Sequence, residues 1–515
     1  MFAGDGTNSR VNFSISMKPV LALLLAFASG VLAQIQVSLV RGPYLQSGTP
    51  RSVVVRWRTD LATNSMVRFG TNALALNQLI QRAGPTNEHI VLLSNLRSDT
   101  RYYFQVGSTD GWLSSLGWFQ TSPTNTRPVN IWVIGDSGTA TSWAESVRDS
   151  FVNTGLADSF DLWLMLGDNA YSQGTDEQYQ AGVFDTYPDL LRRAVVWPTI
   201  GNHDAASTGS PGQFPYLDIF TLPTGGEAGG IPSGTEKYYS FDYANIHFVC
   251  LDSQSSSRTE DSPMFQWLRA DLADTDKDWI VAFWHHPPYS KGTHDSDSEY
   301  ELIEMREQAL PILEAYGVDL VLCGHSHVYE RSYLLNGHYG FSQTLDPSMI
   351  LDATPGRADD GGPYRKPAGA LGENRGTVYV VCGNSGQYGG FDYDGFHPAM
   401  LVSADGLGSM ILRFDNQRLD VQFLRPSGSI DDYFTLDKSQ PGETRPILNV
   451  ARSTNGATLS WPKTFPVYAL ESAPYMATNS PWQTATNVST RIGRTNIVNL
   501  NPAEDQKFFR LRGNP

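Results

Sequence analysis

Five short apolar runs in this chain each stop at residues of one chemical kind. VNIWVIGDSG ends on Asp136, FDLWLMLGDNAY on Asp168 and Tyr171, and AVVWPTIGNHD on Asn202 and His203. DWIVAFWHHPPYS ends on His285 and His286, and VDLVLCGHSHVYER carries His325 and His327. Apolar runs of this length, four of them closed by glycine, suit strands buried on both faces. Helical patterns separate several of them: 141–155, with Trp143, Val147 and Phe151 on one face, a stretch near 176–193, and an amphipathic stretch over 299–316 closed by Gly317. Repeated strand–helix–strand units imply parallel strands with helices on both faces. Hairpin patterns at YYSFDYANIHFVCLDS and around Asp415-Asn416 add antiparallel edges, so a mixed sheet is expected. Ligands bind beyond the carboxyl ends of such strands, so the five clusters are expected to converge on one crevice.

Carboxylates, imidazoles, an amide oxygen and a phenol are oxygen and nitrogen donors without a thiolate. That set suits iron, manganese or zinc. Seven or so donors exceed what one tetrahedral ion uses, and a carboxylate can bridge, so two metals fit better than one. In an extended segment His325 and His327 point to the same side, where neighbouring ions can each take one. Taken singly, a strand-end aspartate after glycine is commonly a turn or helix cap, and the lesser reading of Tyr171, three residues after Asp168, is a packed aromatic. Five such clusters in one strand–helix context do not read that way. His89, His247, His338 and His397 stand outside them, and the first three are expected to be structural. No H-E-x-x-H, P-loop, G-x-S-x-G elbow or dinucleotide fingerprint occurs in usable context.

The flanks read differently. Met17-Lys18 precedes the apolar PVLALLLAFASGVLA with small residues at Val31 and Ala33, so residues 1–33 read as an extension and secretory signal, cleaved near Ala33. That run falls short of the roughly 20 residues of a spanning helix, and no membrane span is expected. Residues 36–122 alternate with period two between turn residues, as in SVVVRWRTD and TRYYFQVGS, which predicts an Ig-like or fibronectin-like β-sandwich. The α/β unit occupies 125–438. Residues 446–515 predict a small second sandwich with Trp461 and the Phe508-Phe509 pair as core. Cys250, Cys323 and Cys382 sit in apolar runs without C-x-x-C spacing and read as core residues. A formal charge of −16 argues against nucleic acid as a partner, so an anionic substrate has to be attracted by something local.

The blocks GDSG, GDNAY, GNHD, HHPPYS and GHSHVYER resemble, in order, those of the calcineurin-like metallophosphoesterases, and Tyr171 with HVYER is similar to the purple acid phosphatases. The resemblance covers about 125–435, and the sandwich before it resembles the N-terminal domain of the plant-type enzymes. It implies a secreted or extracytoplasmic acid phosphatase acting on phosphate monoesters, with a dinuclear centre and a metal-bound hydroxide as nucleophile. Asp136, Tyr171 and His327 would take Fe(III), Asn202, His285 and His325 a divalent zinc, manganese or iron ion, and Asp168 would bridge. His286 would fill the variable position after His285. His203 and His294, with Asn202, would contact the phosphate or serve the leaving group, although His294 lies in the acidic THDSDSE, which also reads as a solvated helix start. Two rival expectations remain: a phosphodiesterase or nucleotidase using the same centre, with loops near 205–236 and 340–375 setting specificity, and a non-catalytic extracellular binding protein.

Overall fold

The structure, a computed structural model, describes residues 36–515 except 208–213, 367–375, 392–394, 439–447, 454–455, 463–467, 475–480, 486–489, 493–494, 501–507 and 514–515. The secretory signal read at 17–33, and parts of the two loops named above, lie outside the described residues. The N-terminal β-sandwich is organised by one long strand, Val53–Gly70. Its first part pairs with Leu39–Gln46, its last residues pair with Arg101–Ser108, and Gln78–Leu93 runs along its other edge, all antiparallel. The register slips between Arg58 and Ser65, which bends the strand so that it serves both layers. Val55, Trp57, Val67, Phe69, Phe104 and Phe119 fill the space between. His89 is closed into this core, stacked on Trp57 and bonded to Thr59 and Ser65.

The α/β unit is built from two mixed seven-stranded sheets. In the first, β1 (Val129–Ile134), β2 (Leu162–Met165) and β3 (Val195–Pro198) run parallel, and Ser409–Asp415 continues the sheet antiparallel beside β1. In the second, Ile246–Cys250, β4 (Trp279–Trp284), β5 (Leu320–Cys323) and Val378–Cys382 run parallel, between antiparallel edges. Side chains alternate along β4: Trp279, Val281 and Phe283 join the core shared with the first sheet, while Ile280, Ala282 and Trp284 face the helix Pro263–Asp274. Burial on both faces is what the unbroken apolar runs require. Cys250, Cys323 and Cys382 are buried free thiols, as read from the sequence.

Three expectations need correction. Helix α1 (Ser142–Asn153) buries Val147 and Phe151, with Phe151 stacked 4.6 Å from Trp132, but Trp143 is exposed. The helical period is right, yet Trp143 occupies the first turn, where it meets Tyr388 at the surface instead of the core. The stretch 176–193 is broken into Asp176–Tyr179, a wider turn over Gln180–Asp185, and Pro188–Leu191, where Pro188 starts a new helix. In the C-terminal strands, Trp461 is buried with Leu459, Leu470 and Val498, but of the aromatic pair only Phe509 packs on this cluster. Adjacent residues of a strand point to opposite faces, so one core cannot take both.

Candidate metal centre

Both sheets deliver their donors at the same place. Asp136 follows β1, Asp168 and Tyr171 follow β2, Asn202 and His203 follow β3, His285 and His286 follow β4, and His325 and His327 follow β5. Asp136, Asp168 and His325 have φ of 54°, 51° and 67°, in the left-handed region that turns the chain sharply at a strand end. The glycines before the donors are there for room. A Cβ on Gly201 would fall on Asp168 Oδ1, and one on Gly324 on Asp136 Oδ2.

The polar atoms sort into two groups that meet at one carboxylate. In the first, Tyr171 OH lies 3.1 Å from Asp136 Oδ1, 2.9 Å from Asp168 Oδ2 and 3.5 Å from His327 Nε2. In the second, Asn202 Oδ1 lies 3.0 Å from His285 Nε2 and 3.1 Å from His325 Nδ1, and those two nitrogens are 3.2 Å apart. Asp168 faces both, since its other oxygen, Oδ1, is 3.5 Å from His285 Nε2.

Hydrogen bonds behind the second group fix which atoms hold lone pairs. His285 Nδ1–H donates to Leu166 O at 2.8 Å, which leaves Nε2 facing the triangle. His325 Nε2 lies 3.2 Å from Glu299 Oε2 and donates there, which leaves Nδ1 facing it as well. With the Asn202 amide oxygen inward, three acceptors confront one another with edges near 3 Å. Donors around a small tetrahedral cation stand at about 3.3 Å from each other. A cation resolves this arrangement. A proton on His285 does part of that work: burial opposes it, but the Asp168 and Asp136 carboxylates hold the imidazole up at about 9.

The first group is anionic instead. Asp136 and Asp168 are buried, and among the described residues no Lys or Arg pairs with either; imidazoles, backbone N–H groups and the Tyr171 hydroxyl compensate them. Burial raises Asp168, but His285, His203 and His325 prevail and hold its carboxyl well below the usual range. Burial and the two carboxylates push the Tyr171 hydroxyl well above 10, so a phenolate at this position calls for a strong positive charge beside it.

The remaining expected residues also gather here. His203 Nδ1 donates to Ser172 O at 2.7 Å, its backbone N–H donates to Asp168 Oδ1 at 2.9 Å, and its ring packs 4.5 Å from Tyr171. His294 is not on a solvated helix start: its ring lies 3.7 Å from that of His325, and Nδ1–H donates to Glu299 at 2.9 Å. His286 is buried with its ring 4.3 Å from His325, Nδ1 on Ser253 Oγ at 2.8 Å, and burial with the neighbouring imidazoles keeps it neutral.

Sequence reasoning assigned no role to four residues that shape the site. Glu299 joins His294 to His325. Gln387 Nε2 lies 3.1 Å from His327 Nε2, and Thr293 Oγ1 accepts the His327 N–H at 3.0 Å. Asp204 lies beneath, accepting from Asn169 N–H, Gly201 N–H and Tyr179 OH and so tying the GDNAY block to GNHD; burial and Asp168 push its carboxyl up to about 7. Asp204 closes the GNHD block, whereas Gln387 follows the strand Val378–Cys382 with no motif to mark it.

Comparisons with known proteins agree with this picture. Residues 129–329 match the family model of the calcineurin-like phosphoesterases, and residues 40–126 that of the purple acid phosphatase N-terminal domain. An uncharacterized protein of Mycobacterium tuberculosis is 26% identical, over 79% of this chain and 83% of its own length. Purple acid phosphatase 22 of Arabidopsis thaliana is 30% identical over 56% of this chain, which spans 63% of that relative, just under two thirds. Among solved structures, purple acid phosphatase PPD1 from yellow lupin seeds superposes with a TM-score of 0.58 at 17% identity, covering 77% of this chain and 74% of that one. PhoD superposes at 0.55 and 13% identity, covering 78% and 90%. Both structural likenesses are of fold.

The match over residues 129–329 gives the class, the calcineurin-like phosphoesterases, a family of phosphate-ester hydrolases. With its N-terminal module, the chain belongs to the purple acid phosphatase-like metallophosphoesterases.

Proposed function

We propose that the protein is a secreted acid phosphatase that cleaves phosphate monoesters at a pair of metal ions. The observation that carries this reading is the division of Asp168, one oxygen toward the Asp136–Tyr171–His327 group and the other toward the Asn202–His285–His325 group. Asp136, Tyr171 and His327 would hold a ferric ion, Asn202, His285 and His325 a divalent zinc, manganese or iron ion, and Asp168 both. When bound, the pair supplies positive charge beside the ester phosphate and lowers the pKa of water at the site. It is also the local positive field that a chain of net charge −16 needs in order to hold an anion.

The protein's own residues do the rest. His203, fixed through Nδ1 by Ser172 O, presents Nε2 to the phosphoryl group on the Asp168 side. His294, held through Nδ1–H by Glu299, has Nε2 free to carry a proton to the leaving oxygen as its bond to phosphorus breaks. Asn202 contributes a neutral oxygen that neither repels the anionic ester nor competes for the proton. The domain limits at 125–438 and 446–515 belong to this reading, as does the secretory signal. Among the described residues no helix is long and apolar enough to cross a membrane.

Two measurements test it. Elemental analysis of the purified protein should find about two ions per chain, one of them iron. A side-by-side assay of 4-nitrophenyl phosphate and its bis-ester should favour the monoester by about tenfold or more. Preference for the diester overturns the monoester assignment, and absence of bound metal after reconstitution overturns the centre itself.

A further inference from the structure

Resting on that reading of the centre, we propose that Trp143 and Tyr388 form a stacking subsite at its mouth for the base of a nucleoside monophosphate. The segment around Tyr388 is a wall of the site. Gln387 Nε2 is 3.1 Å from His327 Nε2, the Gly389 N–H donates to His327 O at 3.2 Å, and Thr139 Oγ1 donates to Gly386 O at 3.0 Å. Between these anchors Tyr388 points outward and stays 44% exposed. It rests on Trp143, centroids 5.3 Å apart and planes tilted by 41°, and Trp143 is itself 47% exposed. Trp143 stands in the first turn of α1, seven positions after Asp136. Two large aromatic side chains half in water, both tied by short links to residues of the centre, are a surface prepared for a flat apolar group.

The placement also selects the kind of ester. Among the described residues the ring contacts of the centre are those of Tyr171 and the histidines, whereas Trp143 and Tyr388 meet only each other. A ring bound on the pair therefore lies at a remove from the scissile phosphorus. In a nucleoside 5′-monophosphate a ribose separates base from phosphate, whereas in an aryl phosphate the ring is attached directly. Base stacking on aromatic side chains tolerates different bases, so no particular base is implied.

The test compares kcat/KM for adenosine 5′-monophosphate, glycerol phosphate and 4-nitrophenyl phosphate in the wild-type protein, Trp143→Ala, Tyr388→Ala and Tyr388→Phe. Both alanine variants should lose about tenfold on the nucleotide while staying within about twofold on glycerol phosphate, and Tyr388→Phe should keep the nucleotide activity. Free adenosine should inhibit glycerol phosphate hydrolysis competitively in the wild-type protein and at least about tenfold more weakly in the alanine variants. Equal changes on all three substrates, or none, overturn the subsite and leave the pair as a brace for its loop. A loss confined to 4-nitrophenyl phosphate overturns it in favour of a directly attached ring. A wild-type protein inert toward every ester overturns the phosphatase reading and the subsite with it, whereas glycerol phosphate turnover with no effect of adenosine overturns the subsite alone.

Discussion

Histidine and aspartate are buried together in two regions of this molecule, and the two regions are built in opposite ways. His247, on the edge hairpin of the second sheet, has Nδ1 2.8 Å from Asp242 Oδ1 and Nε2 2.9 Å from Asp271 Oδ2. Asp271 Oδ1 accepts from Ser240 Oγ and Ile231 N–H, and Asp242 Oδ2 lies 3.4 Å from Lys277 Nζ. Each donor meets an acceptor, and the imidazolium is held up at about 9 by those carboxylates in spite of its burial. At the strand ends the pattern inverts. Acceptors face acceptors across Asn202, His285 and His325, and burial drives His325 down to about 4. The first cluster is complete without a ligand and braces the fold. The second has one proton, on His285, for three inward-facing acceptors and is completed by a cation, so residue type and burial alone do not distinguish a structural histidine from a functional one. The direction of its lone pairs does.

The two halves of the centre share one carboxylate, Asp168, whose loss should do the most damage. Asp168→Ala should lower kcat/KM by on the order of 10³-fold or more and reduce bound metal below about two ions per chain. The metal-free variant should melt below the metal-free wild-type protein, because the depressed carboxyl of Asp168 is held by His285, the His203 N–H and the Tyr171 hydroxyl, and its removal leaves the buried His285 proton without its carboxylate. Activity within about tenfold of wild type would show that Asp168 does not join the two groups.

His247→Ala should do the reverse. It leaves the buried Asp271 carboxylate with Ser240 Oγ and the Ile231 N–H but without its cation, with an expected loss of about 3 kcal/mol of stability and no change in metal content or in activity per folded molecule. The sign with pH follows from the raised pKa. The contribution of His247 is full below the unfolded value of about 6.5 and fades as pH rises through about 9, so the gap in denaturation midpoint between wild type and variant should narrow over that window. A gap independent of pH would mean that His247 is held neutral.

The sequence made one region far more legible than the other. The five donor clusters could be read because each puts polar residues at the end of an apolar strand and four of them need a glycine there for clearance, and both leave a local pattern. Glu299 could not, because in THDSDSE it is one of several acids whose partners, His294 and His325, are chosen by the fold. Gln387 and Tyr388 follow a strand of the second sheet and reach His327 and Trp143 through tertiary packing alone. Trp143 had the right period for the core and the wrong position along its helix. At Phe508 the expected double aromatic core ran against the two-residue period of its own strand. Local rules located the strand ends, but which side chains lean over them is decided by contacts far apart in the chain.

A smaller effect sharpens the contrast between the anionic and neutral halves of the centre. Tyr171→Phe removes the phenol from the Asp136 half and leaves the Asn202–His285–His325 triangle intact. It should abolish visible absorption from a phenolate–ferric pair, keep about one ion on the neutral half, and cost about 10–100-fold in kcat. A variant that keeps both its colour and its two ions would remove the ferric assignment while leaving a two-metal phosphoesterase.

The neutral half is held from outside by the carboxylate of Glu299, and its loss should cost the least. Glu299 takes a hydrogen bond from His294 and another from His325, so Glu299→Gln keeps the shape and removes the charge that orients both rings. Loss of such an outer carboxylate weakens metal binding by about 10–100-fold, here on the ion of the His325 side only. Partial burial pushes the Glu299 carboxyl up, but the bonds from His294 and His325 win and hold it well below the usual range. Its stabilising contribution is therefore present above the unfolded carboxyl value of about 4.3 and lost as pH falls through the depressed folded value. The stability difference between the wild-type protein and the Glu299→Gln variant should accordingly stay level from about pH 5 to 7 and shrink on further acidification. Equal weakening of both ions in metal competition titrations would place Glu299 behind the whole centre and erase the distinction between its halves.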